Sequence, residues 1–131
     1  MLHYSAEHPI TPVEIADLRQ AVGWNRLEEE LNRPQFADFF QLACYDEQRL
    51  VGYLSVVSNG ATDAYIQDVM VAPAYQGQGI GTTLMNQAIA KIKAHRIYMI
   101  HVIYGEESLR KYYEKFGFYT MLAGQMESHE V

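Results

Sequence analysis

Apolar and polar positions change their spacing several times along the chain, and each change marks an element. From Thr11 the spacing is helical, with Ile15, Leu18 and Val22 on one stripe. Thr11 suits the N-cap, Pro12 the first helical position and Glu14 the return bond of a capping box, with Gly23 as the stop. A second, short helix is expected over Arg26–Leu31, before Pro34. The pattern then becomes that of strands. Phe39–Asp46 and Leu50–Ser58 flank Glu47, Gln48 and Arg49 and read as a hairpin. After a loop over Asn59–Asp63, Ala64–Pro73 reads as a third strand, halted by its proline. A glycine-rich turn leads into an amphipathic helix ending near Ala94, with Leu84, Ala88, Ile89 and Ile92 on one face. Ile97–Gly105 is almost continuously apolar, the pattern of a strand buried on both faces. Glu107–Phe118 reads as a last helix stopped at Gly117, and Phe118–Leu122 as a final strand.

A strand, a helix and a buried strand in succession imply a right-handed parallel crossover. The order predicts one domain over residues 1–131, a mixed α/β sheet rather than a bundle or sandwich. Hydrophobic residues make up 49% and charged residues 20%, enough for a packed core. No apolar run has the length of a membrane span, and the N-terminus lacks the basic-then-apolar pattern of a secretory signal. The single Cys44 fits a reducing cytoplasm and reads as core. A net charge of -6 argues against sequence-independent nucleic-acid binding and is compatible with a cationic substrate. No metal-ligand spacing stands out.

The chemistry concentrates in Ala74–Met85. Gly77, Gly79 and Gly81 lie between a strand and a helix, although glycine inside a helix costs about 1 kcal/mol against alanine. A helix N-terminus carries unpaired N–H groups and partial positive charge, so a turn stripped of side chains lets an anion rest on backbone donors. The triphosphatase loop is excluded because no Gly-Lys-Ser/Thr is present, and the dinucleotide fingerprint fails because Thr82 holds its third glycine position. Gln76-Gly77-Gln78-Gly79-Ile80-Gly81 does match Q/R-x-x-G-x-G/A, and Leu109–Phe118 matches a second, later motif around Tyr-Glu-Lys-Phe-Gly-Phe. The two segments, in this order and spacing, resemble the GNAT N-acetyltransferases across essentially the whole chain.

The resemblance implies a three-layer α/β GNAT fold, with a mostly antiparallel sheet, a central parallel strand pair and about four helices. It implies acetyl-CoA as cofactor and direct acetyl transfer to a primary amine in a ternary complex. The pyrophosphate would rest on backbone N–H groups around Gly77, Gln78, Gly79, Ile80, Gly81 and Thr82, with Gln76 bracing the loop. The pantetheine arm would pair along Val69, Met70 and Val71, and the Val69 N–H would polarise the thioester carbonyl. Tyr113 matches the family tyrosine that acts as general acid toward sulfur, although a neighbour of Tyr112 and Phe116 is also a ready core residue.

Two departures stand beside the match. Family members often carry Glu or His where this chain has Tyr65 and Gln67, neither an effective base. Asp68 is the nearest carboxylate, but strand alternation turns it to the other face unless a bulge intervenes, and it reads as structural. His101 on the next strand is a further candidate base, although a lone strand histidine reads more readily as a satisfied core residue. The second departure is Glu106 or Ser108 where the family often has a pantetheine-binding asparagine; Ser108 serves either the cofactor or the cap of the following helix. Trp24, Tyr65 and Gln67 are the candidate substrate residues, with Trp24 equally suited to anchoring its helix; Asn25, Arg26 and Phe36 lie close in sequence, and Glu28–Glu30 read as a solvated face. An acyl-CoA-binding or regulatory domain without catalysis is the alternative. The acceptor, a small molecule or a protein amine, is open, and the tail from Gly124 could complete the sheet or exchange with a second copy in a homodimer.

Overall fold

The apolar run Leu50–Val56 becomes the middle of a sheet, buried without interruption because both of its faces are covered. The computed structural model describes residues 1–131. Its five strands lie in chain order: β1 (Leu2–Ser5), β2 (Phe40–Asp46), β3 (Arg49–Ser58), β4 (Asp63–Val71) and β5 (Met99–Val102). The first four are antiparallel, and β4 and β5 are parallel, joined by the crossover helix. The helices are α1 (Pro12–Ala21), α2 (Glu28–Leu31), α3 (Ile80–Ala94) and α4 (Arg110–Glu114).

Helix α1 begins as its sequence dictates. The Glu14 N–H donates to Thr11 Oγ1 at 3.1 Å, and the Thr11 N–H donates to Glu14 Oε1 at 3.0 Å. It buries Ile15, Ala16 and Leu18, and Tyr45 of β2 donates to its Glu14. Helix α3 covers the opposite face with Ile80, Leu84, Ala88 and Ile92. Gly52 of β3 is what lets it approach: a Cβ there would lie 2.7 Å from Ile80 Cγ2 and 3.2 Å from Leu84 Cδ1. Sheet and helices thus form three layers around a 24-residue core that includes Cys44.

Several elements differ from the expectation. β1 was not foreseen, since four residues of mixed character carry almost no periodic signal. Helix α2 is a single turn starting at Glu28, behind a Leu27 in left-handed conformation (φ +51°). The Glu107–Phe118 helix is a short 3-10 turn, Glu107–Leu109, followed by α4. Phe118–Leu122 forms no strand, and Leu122 is fully exposed. With nothing beyond it, β5 is the edge of the sheet, so the parallel pair stands at one end and not at the centre. An apolar run is buried on both faces only where neighbours cover both. At β5 they do not, and His101 and Ile103 are exposed.

Candidate functional site

Strands β4 and β5 pair only from Asp63 with Met99 to Ile66 with Val102. Beyond that point β5 ends while β4 continues to Val71, still held by β3 on its other side. The β5-facing backbone of Gln67–Val71 therefore has no strand partner, which opens a slot in the sheet. Within it β4 bulges. Ser55 pairs with Gln67 and Tyr53 with Met70, so Leu54 faces both Asp68 and Val69, and Asp68 adopts φ +55°.

The chain leaves β4 through a 3-10 turn, Pro73–Tyr75, into the glycine loop. Gln76 Nε2 donates to the Val71 carbonyl at 3.0 Å, bracing the loop on the end of β4. Gly77 and Gly79 have φ of +80° and +86°, a region costly for residues with a Cβ, and no neighbour lies near either Cβ position. They are glycines for conformation. Gly81 differs: its φ is not positive, and a Cβ would rest in ordinary contact, 3.6 Å from Tyr112 Oη and Val71 Cγ2. Gly79 is the N-cap of α3 and offers no side chain, so the first N–H groups of a four-turn helix have no side-chain partner. The glycine turn leading directly into a helix N-terminus is the arrangement expected from the sequence. Thr82 Oγ1 shares a hydrogen bond with Tyr112 Oη at 3.1 Å, which ties α3 to α4.

Tyr113 is 8% exposed. Its ring stacks on Tyr104 at 4.8 Å and meets Tyr112 edge-on at 5.1 Å. Burial, then the neighbouring Tyr112 and Tyr104, push its hydroxyl above the usual tyrosine value, so it keeps its proton through neutral pH. The core reading of Tyr113 holds for its ring, and its hydroxyl makes no hydrogen bond within the chain.

On the α1 side of the sheet lies a polar row that sequence reasoning largely missed. Gln41, Ser55 and Gln67 are register neighbours across β2, β3 and β4. Gln67 Nε2 donates to Ser55 Oγ at 3.2 Å, and Gln41 Nε2 donates to Tyr53 Oη at 2.8 Å. Asp68 joins this neighbourhood because of the bulge. Its Oδ2 accepts from Arg19 of α1 at 2.8 Å, and Arg19 also donates to the Asn25 carbonyl and side chain. Arg19 is itself 7% exposed, and its guanidinium lies 5.4 Å from the Trp24 ring. Asp68 is structural, as expected, but the bulge removes the simple alternation used to place it. Asp38, just before β2, stands near Ser55 and Gln41, and its Oδ1 atom is buried without a hydrogen-bond partner. The detectable signal was Ser55, a polar residue at a fully buried strand position; Asp38 and Arg19 carry no motif.

Other placements correct the expectation. Trp24 is 43% exposed, so it is no core anchor and stands at the protein surface over Arg19. Tyr65 is part-buried, and burial, then Asp68, raise its hydroxyl further from use as a base. His101 is not a core residue: it lies on the exposed edge strand, 2.6 Å from Asp63 Oδ2. Ser108 does not cap its turn; it donates to Glu106 Oε2 at 3.0 Å. Arg26 is held by Asp17, Gln20 and Glu28. A wide groove of about 1000 Å³ follows β5 toward the residues after α4, and of the candidate site residues only Tyr65 borders it. No helix is long and apolar enough to cross a membrane.

A mixed sheet that opens beside a bare helix N-terminus defines the class: an α/β protein built around a glycine-rich strand–turn–helix. The model of the acetyltransferase (GNAT) family matches residues 6–118, and the chain belongs to that family. An uncharacterized N-acetyltransferase, ycf52, from Gracilaria tenuistipitata var. liui is 29% identical over 114 residues, covering 82% of this chain and 61% of that protein. A protein of unknown function from meticillin-resistant Staphylococcus aureus, described as a probable acetyltransferase, matches with TM-score 0.80 and 28% identity, over 99% of this chain and 100% of that one. A GNAT family acetyltransferase from Brucella melitensis, solved in complex with acetyl-CoA, shares the fold at TM-score 0.72 and 20% identity, over 99% of this chain and 94% of that one. The chain spans 40% and 61% of the length of the two ycf52 relatives from Porphyra purpurea and Gracilaria.

Proposed function

We propose that the chain transfers an acetyl group from acetyl-CoA to a primary amine by direct attack in a ternary complex. The observation that carries this reading is the juxtaposition of an unpaired β4 edge with the side-chain-free N-terminus of α3. The residues present fit the cofactor. The N–H groups of Gln78, Gly79, Gly81 and Thr82 suit a pyrophosphate, with Ile80 inside the same first turn and Gly77 setting the loop. The free edge of Val69, Met70 and Val71 suits an extended amide-bearing arm, paired as an added strand. Acetyl-CoA, when bound, supplies an activated acetyl thioester. With the thioester there, the Val69 N–H would polarise its carbonyl and Tyr113 would hold a proton for the departing sulfur. Trp24, Tyr65 and Gln67 flank the acceptor's approach from the α1 side. Ser108, tied to Glu106, contributes at most a rim contact to the cofactor.

A binder without catalysis is the second reading, favoured by one observation: β4 presents no free base, because Gln67 is engaged by Ser55 and Asp68 by Arg19. Thiol release from acetyl-CoA in the presence of pooled primary amines separates the two. Amine-dependent release is the expected result. Silence from protein that calorimetry shows to bind acetyl-CoA would overturn the enzymatic reading.

A further inference from the structure

The sheet ends at β5 with an open edge. No strand pairs beyond it, and Met99–Val102 carries no proline or lysine that would block one. The groove of about 1000 Å³ beside it touches all four strand residues. Successive strand residues point to opposite faces, so a groove that meets all of them follows the edge and not one face of the sheet. Ile89 and Lys93 of α3 border it, as does Tyr65 of β4. Its far wall is formed by residues 118–122, the segment whose pattern reads as a strand. No backbone–backbone hydrogen bond involves any residue from Phe118 onward. One side-chain hydrogen bond, between Thr120 Oγ1 and Tyr104 Oη at 3.0 Å, ties the segment to the body. The chain thus holds both halves of a missing ladder, an unpaired edge and an unpaired strand-patterned segment, and within one copy they do not join. The exposed apolar surface gathers in the same place. Eight of the thirteen exposed large hydrophobic residues lie from Tyr98 onward, among them Ile103, Tyr119, Met121 and Leu122. Scattered exposed apolar residues are ordinary, but a group of them beside an open strand edge marks an interaction surface.

We infer that the groove is filled by a second copy of this chain: residues 118–122 of each copy pair along β5 of the other. Gly117, at φ +103°, is the hinge from which the segment leaves the end of α4. Its single side-chain tether to Tyr104 is all that the exchange breaks within the chain. One sequence supplies both the edge and the strand, so the exchange is reciprocal, closes as a two-fold dimer and covers β5 in both copies. Added-strand hydrogen bonds give the segment its hold. Tyr119, Met121 and Leu122 then exchange water for the largely apolar lining of the groove. The inference stands apart from the acetyl-transfer reading, because neither the glycine loop nor the open end of β4 takes part in it.

Sedimentation velocity of the wild-type chain should show a dimer at micromolar concentration. The double variant Tyr119→Lys, Leu122→Lys should weaken the association by about 100-fold. Both side chains are exposed in the single chain, so the variant should keep the wild-type circular dichroism spectrum. The seat of the segment is read by mixing isotope-labelled wild-type chain with unlabelled Leu122→Cys chain that carries a nitroxide on the new thiol; Cys44 is buried and escapes the label. Broadening of the amides of residues 99–103 in the labelled chain is expected, because only a second copy brings the nitroxide to them. A wild type that stays monomeric at millimolar concentration overturns the inference, whether its β5 amides exchange freely or are protected by the tail of their own chain. A dimer that survives the double substitution, or broadening away from β5, puts the contact on another face and overturns it as well.

Discussion

Gly79 and Gly81 sit two residues apart in one motif and answer to different constraints. Gly79 is held at φ +86°, whereas Gly81 has helical backbone and room for a methyl group. Gly79→Ala should destabilise the fold by about 1 kcal/mol through its left-handed backbone and weaken acetyl-CoA binding by distorting the N-cap. Gly81→Ala should raise stability by up to about 1 kcal/mol and leave affinity within a few-fold. Thermal unfolding and calorimetry of both variants check the contrast, and equal losses in both would show that the loop is packed against something at Gly81. Tyr113 is a core residue by its ring and the proposed acid by its hydroxyl. Tyr113→Phe keeps the ring on Tyr104 and removes only the proton, so turnover should fall by about 100-fold while acetyl-CoA affinity holds. Because burial raises its hydroxyl above the usual tyrosine value, wild-type activity should show no descending limb from this group below about pH 10.

Among the elements, α3 carries both the core and the proposed phosphate cradle, and β3 sets its position. Gly52 is the contact point, and a Cβ there would press on Ile80 in the first turn of α3. Gly52→Ala should cost about 1–3 kcal/mol through overpacking, and it should weaken acetyl-CoA binding although Gly52 lies outside the loop; a change in stability alone would separate the cradle from the helix seating. This coupling was hidden in the sequence, where Gly52 is one glycine inside an apolar strand. The elements that were legible had strong local signals. The Thr11–Glu14 capping box formed, and the Gln76–Gly81 spacing produced the expected loop. The features that were not legible depend on partners distant in sequence. The Asp68 bulge arises from pairing with β3, the Arg19–Asp68 bond spans 49 residues, and the exposure of β5 follows from a strand that never forms.

For the whole molecule, the sheet is asymmetric: one end closes with β1, and the other opens between β4 and β5 beside the α3 N-terminus. The chain as a whole carries a formal net charge of -6. On the proposed reading, an anionic cofactor would be held by local backbone donors against the overall field, while a cationic acceptor would be drawn by it. The sequence indicated the class and the glycine loop because both rest on contiguous motifs; the polar row is assembled from α1, β2, β3 and β4, and no motif announces it. The most direct test of the account is a backbone amide NMR titration with acetyl-CoA. The expected result is that the largest shifts fall on Val69 and on Gly79, Ile80, Gly81 and Thr82, with the groove along β5 little changed. Shifts confined to that outer groove, or none at millimolar acetyl-CoA, would contradict the assignment of the open β4 edge and the α3 N-terminus as the cofactor site.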